Sequence, residues 1–114
     1  MALNYGWEKF FSACHYAIGS CEPVQMRLAS SISSNIHLLR RDDLPSDEAW
    51  ERVQKLMAAC TCKPAKGGEG TIAATTSQMS DDEAASWLRE MISIFSDVAE
   101  EYGRSQGEVH FAKR

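Results

Sequence analysis

The sequence contains no uninterrupted apolar run near the ~18 to 20 residues that a bilayer-spanning helix requires. Its opening, Met1-Ala2-Leu3-Asn4-Tyr5-Gly6, lacks both the basic start and the apolar stretch of a signal peptide. These absences lead to the expectation of a cytoplasmic chain without a membrane partner, in which Cys14, Cys21, Cys60 and Cys62 are reduced thiols. A basic footprint is also missing, since the formal net charge is −4, and nucleic acid is therefore not an expected partner. There is no internal repeat.

Motifs that carry chemistry are equally scarce. The glycine-rich stretch Lys66-Gly67-Gly68-Glu69-Gly70-Thr71 resembles a phosphate cradle only in composition: its lysine does not follow the second glycine and no strand precedes it. His15, His37 and His110 are scattered, and the carboxylates fall on faces predicted to be solvated, so no acid and base pair can be picked out. No catalytic or cofactor-binding residue is assigned. A small enzyme of unknown reaction is kept as a third reading only because pockets are invisible in sequence.

What the sequence does have is helical periodicity. With 114 residues, 44% apolar and 25% charged, the chain is large enough to close one core without metals or disulfides. Leu3, Trp7, Phe10, Phe11, Cys14, Ala17 and Ile18 recur at spacings of three and four and predict a first helix, ended by Gly19-Ser20. Pro23 opens a second, with Val24, Leu28, Ile32, Ile36 and Leu39 on its apolar face. Ser46 caps a third, with Ala49, Trp50, Val53, Leu56, Met57 and Cys60 as its stripe. Ser80-Asp81-Asp82-Glu83 has the form of a capping box, and Ala84, Leu88, Met91, Phe95, Val98 and Tyr102 carry a fourth helix to Gly103.

The expected fold is therefore all-α: a four-helix bundle whose first three helices run up-down-up, with a long loop before a longer, acidic fourth helix. That loop, residues 61–79, exceeds the usual connection length, and Ile72-Ala73-Ala74 can form an extra helical turn docked on the core. Residues 1–103 form the single domain, and 104–114 a polar, frayed tail. Six aromatic residues, Trp7, Phe10, Phe11, Trp50, Trp87 and Phe95, all fall on predicted core stripes, so packing accounts for them.

Two patterns suggest a role. At one pole of an up-down-up bundle Cys21 would approach Cys60 and Cys62, and with Cys14 or His15 these could hold zinc, giving a thiol-based metal or redox domain as the alternative reading. The first reading rests on charge. Residues 1–79 balance to zero, whereas 80–102 hold seven acids against Arg89. Among them Glu83, Glu90, Asp97 and Glu101 lie within about 40° of one another on the helix, beside Ile94. The stripe suggests contact with a basic surface on another protein, or self-association, and hence a noncatalytic interaction module: an adaptor, a regulatory subunit or an antagonist.

Overall fold

The predicted periodicities become helices packed around one long axis. The structure, a computed structural model, describes the backbone of residues 2–112 and the side chains of residues 3–107. It is all-helical, with α1 (Ala2–Gly19), α2 (Val24–Ser34), α3 (Asp47–Cys60), α4 (Gly70–Thr76) and α5 (Asp81–Ala112), and short 3-10 turns at Ile36–Leu38 and Arg41–Asp43. Among the described residues there is no strand, and no helix is long and apolar enough to cross a membrane.

α5, with 32 residues, is about 48 Å long at 1.5 Å per residue, and α1, α2 and α3 all pack against it. Phe10, Leu28, Ile32, Val53, Leu56, Met91, Ile94 and Val98 are fully buried in one cluster, with Val24 and Phe95 half-buried against it. Both predicted serine caps are in place. Ser46 accepts from the backbone N–H of Ala49 and Ser80 from that of Glu83, each at 3.1 Å, which satisfies donors that a helix start leaves free. α4 grows from the predicted turn at Ile72 and rests on both α2 and α3. Thr75, buried on α4, accepts from the Lys63 N–H at 2.9 Å and so ties down the loop before it.

Four expectations are corrected. The second helix does not reach Leu39: it breaks at Asn35 (φ −135°, ψ −62°), and a 3-10 turn then keeps Ile36 and Leu39 buried. Gly103 does not end the last helix, which continues to Ala112, so no break in secondary structure sets the predicted tail apart. A glycine within a helix costs only about 1 kcal/mol, and the Glu101–Arg104 ion pair spans it. Gly19 does end α1, but not as a left-handed terminator, since Gly70 is the glycine with positive φ (83°) among the described residues. Instead Arg27 reaches back from α2 to donate to the Ala17 carbonyl at 3.1 Å. Finally, α3 meets α5 and α4 more broadly than it meets α2, despite the short connection between them.

One contact depends on a missing side chain. The turn at Arg41–Asp43 lies across α1 so closely that a Cβ on Gly6 would sit 2.0 Å from the Asp43 carbonyl oxygen. Asp43 is itself buried, its carboxylate accepting from the Arg40 N–H at 2.8 Å.

Candidate functional site

The acidic stripe of α5 is answered from within the molecule. Arg52, midway along α3, donates from Nε and Nη2 to the two carboxylate oxygens of Glu90, each at 2.9 Å. Its Nη1 reaches Asp97 at 3.0 Å and its Nη2 also reaches the Ser93 hydroxyl at 2.8 Å. The fork matches a planar carboxylate, so Arg52 and Glu90 form a bidentate pair that stays part-exposed. The hydrogen bond from Arg52 lowers the Glu90 carboxyl below its ordinary range, and the same bond raises Arg52. Glu101 pairs with Arg104, and that hydrogen bond lowers it too. Glu83 stays exposed. Ile94, expected at the apolar edge of the stripe, is fully buried, because α3 covers that flank of α5 as well.

The three thiols of the metal reading are placed differently from one another. Cys21 and Cys62 are exposed, while Cys60 and Cys14 are buried, and all four are free. Burial pushes the Cys60 thiol up to about 12, with the neighbouring Cys62 and Glu83 adding to the effect, and pushes Cys14 up to about 11. In both, burial favours the uncharged thiol over the thiolate. Among the described residues no three of His, Cys, Asp and Glu are grouped as metal ligands would be.

The glycine-rich loop is exposed, and its backbone donors face a carboxylate of the chain itself. Glu69 accepts from the Lys66 N–H at 3.1 Å, and bonds from its own N–H, then from Lys66 and Gly67, lower its carboxyl. Beside it a 540 Å³ groove runs between α2 and α4, lined by Met26, Ala29, Ser30 and Ser33 on one side and residues 69–73 on the other. Glu69 is the single titratable side chain in that lining. No buried side-chain nitrogen or oxygen among the described residues lacks a partner, so none is left aimed at a ligand. His37 points its Nδ1 at the Ile32 carbonyl, 3.3 Å away, and His110 lies outside the described side chains.

The feature missed in the sequence is on α1. Phe11 was expected in the core; it is 47% exposed, and Ile18, two turns on, is 73% exposed. With Cys14, His15 and Gly19, and with Phe95 from α5, they line a 310 Å³ groove that contains no Asp, Glu, Lys or Arg. The rings around it are stacked in series. Tyr102 lies on Trp7 (5.5 Å between centroids), Trp7 on Phe11 (5.2 Å, 11° between planes) and Phe11 on His15 (5.7 Å). Phe95 closes the floor, 6.3 Å from both Trp7 and Phe10. A signal was present: at 100° per residue, Phe11 and Ile18 fall 80° to 100° round the helix from Phe10, too far for one partner helix to cover all three.

Comparison of the chain with family models, with curated proteins and with solved structures gave no match in any of the three.

Proposed function

We propose that the chain is a noncatalytic protein-interaction module: a four-helix bundle of α1, α2, α3 and α5, with α4 as an accessory, whose partner seats on the aromatic groove of α1 and α5. Directions along α5 support the bundle. Trp7 meets Tyr102, and Ser46 and Ala49 share a groove with Asp97 and Glu101, so α1 and α3 oppose α5. Gln25, near the start of α2, donates to Asp81 at 2.8 Å, so α2 runs alongside α5.

The observation that carries the interaction reading is the stacked series ending on exposed Phe11. Binding surfaces draw most of their free energy from a few aromatic anchors, and anchors already held in one rotamer lose little entropy on docking. The contact moves from the acidic stripe to this groove because Arg52 occupies the centre of the stripe.

A photoreactive residue in place of Ile18, introduced in the native cell, tests the reading. The expected outcome is a discrete protein adduct, absent when the same residue replaces exposed Gln54 on α3. Equal labelling at both positions would remove the groove from consideration.

A further inference from the structure

We infer that α4 is a hinged lid on the end of α3: it lifts as a unit while the four long helices stay folded, and the side chain it uncovers is the Cys60 thiol. The lid shares no residue with the aromatic groove, so it stands or falls apart from the interaction reading.

Side-chain content sets α4 apart. Ile72 is the one large apolar residue among Gly70–Thr76, and it is only half-buried; the covered positions are Ala74, Thr75 and Thr76. By contrast, α2 buries Leu28 and Ile32, and α3 buries Val53 and Leu56. Apolar burial holds an element down in proportion to its area, so α4 is held more weakly than either helix it rests on. Its polar side chains bond mainly within the segment. Thr75 donates to the Thr71 carbonyl at 2.7 Å, Thr76 to that of Ile72 at 3.0 Å and Gln78 to that of Ala74 at 2.9 Å, and these bonds travel with the helix. The exception is the bond that Thr75 accepts from the Lys63 N–H. Lys63 lies three residues past the end of α3, so this bond is a latch between the lid and the helix it covers.

The two ends of the lid differ as hinge and free edge. Toward α5, Met79 is buried and its carbonyl accepts from Gln25 of α2 at 3.1 Å, which fixes the turn after α4. Toward α3, residues 62–71 are exposed throughout, with Gly67, Gly68 and Gly70 among them. A Cβ added at Gly68 or Gly70 would meet nothing within 4 Å, so packing does not restrain that side.

Lifting has a chemical effect at Cys60. It is the last residue of α3, yet none of it reaches water. The first turn of α5 flanks it, where Glu83 acts on the thiol, and α4 packs on α3 beside the latch. With α4 lifted, one of those two walls is gone, and a thiol that reaches water ionises more readily and becomes a nucleophile.

Labelling of Cys60 by N-ethylmaleimide in the full chain is the test, with Cys62→Ser so that the exposed neighbour does not react first, and with amide hydrogen exchange followed in parallel. The Cys60 thiolate adds across the maleimide double bond and a solvent proton completes the adduct, so the rate reports the open fraction. Thr75→Val removes the latch and weakens the closed form alone. It should speed Cys60 labelling and α4 exchange together by about fivefold to tenfold, the worth of one hydrogen bond. Arg52→Ala weakens the closed and lifted forms alike, because its partners lie on α5. It should speed exchange at residues 91–98 and leave Cys60 labelling unchanged. Labelling that accelerates with Arg52→Ala in step with α5 exchange overturns the inference, since Cys60 is then released only by unfolding of the bundle. Labelling indifferent to Thr75→Val also overturns it, since something other than α4 then covers the thiol. If Thr75→Val does not fold, the Arg52→Ala comparison decides alone.

Discussion

The two flanks of α5 are closed in opposite ways. On one, α3 lays Arg52 across Glu90, Ser93 and Asp97, so that the middle of the acidic stripe has a hydrogen-bonding partner inside the chain. On the other, α1 covers Phe95 only in part and leaves Phe11 and Ile18 in water. The acidic flank, prominent in the sequence, is engaged at its centre by one arginine; the apolar flank, inconspicuous there, is open. An ion pair is directional and limited in number, so Arg52 completes its site, whereas an apolar face keeps its tendency to bury until something covers it.

The strongest disturbance of this comparison is expected at the seam beneath the open flank. Phe10 is fully buried and stacked on Phe95, so Phe10→Ala should destabilise the fold by about 3 to 5 kcal/mol. Phe95→Ala, at a half-buried ring, should cost visibly less in the same urea titration. Equal losses would mean that the groove is as enclosed as the core.

An intermediate effect is expected on the closed flank. Arg52→Ala should cost about 1 to 2 kcal/mol at neutral pH, between the worth of an exposed ion pair and that of a sheltered bidentate one. The pH dependence gives its sign. Because the folded-state value of Glu90 is depressed, its contribution is complete above the ordinary value of 4.5 and is lost as pH falls through the lowered value. The gap between wild type and Arg52→Ala, followed by denaturation at successive pH values, should therefore narrow below 4.5 and stay constant above it.

The smallest effect on stability is expected where the effect on association is largest. Ile18→Glu replaces a side chain that is already mostly in water, so the monomer should change by no more than about 0.5 kcal/mol. A larger loss in a dilute thermal melt would show that Ile18 packs within its own chain, and the contrast between the flanks would weaken.

Much of the fold was legible because its signals are local. Ser46 and Ser80 announce helix starts through bonds that close within three residues, and the stripe Val53, Leu56, Cys60 is a property of one helix. The misreadings arise where a second element decides. Ile94 stands at the margin of the apolar arc of α5 and is fully buried, on the side where Arg52 of α3 bonds Glu90, Ser93 and Asp97. Phe11 has the spacing of the core stripe but stands 100° round the helix from Phe10, at the rim of the contact with α5, and is 47% exposed. Glu90 and Asp97 look like surface acids until Arg52, 38 residues from one and 45 from the other, is folded against them. Asn35 carries no proline or glycine to mark the break in α2, and Gly103 carries a breaker that the helix passes through. The candidate groove was the least legible part, since it consists of what no neighbour covers.

The close passage of the Asp43 carbonyl over Gly6 acts as a detent on the first helix. A slide of α1 by one turn in either direction would bring Leu3 or Phe10 under that carbonyl, where the structure leaves no room even for a methyl group. The helix is thereby indexed along its axis, and the levels of Trp7, Phe11 and Ile18 are set relative to Phe95 by a backbone contact about 100° to 140° round the same helix. Whatever docks on the rings is measured against a ruler whose zero mark is a glycine.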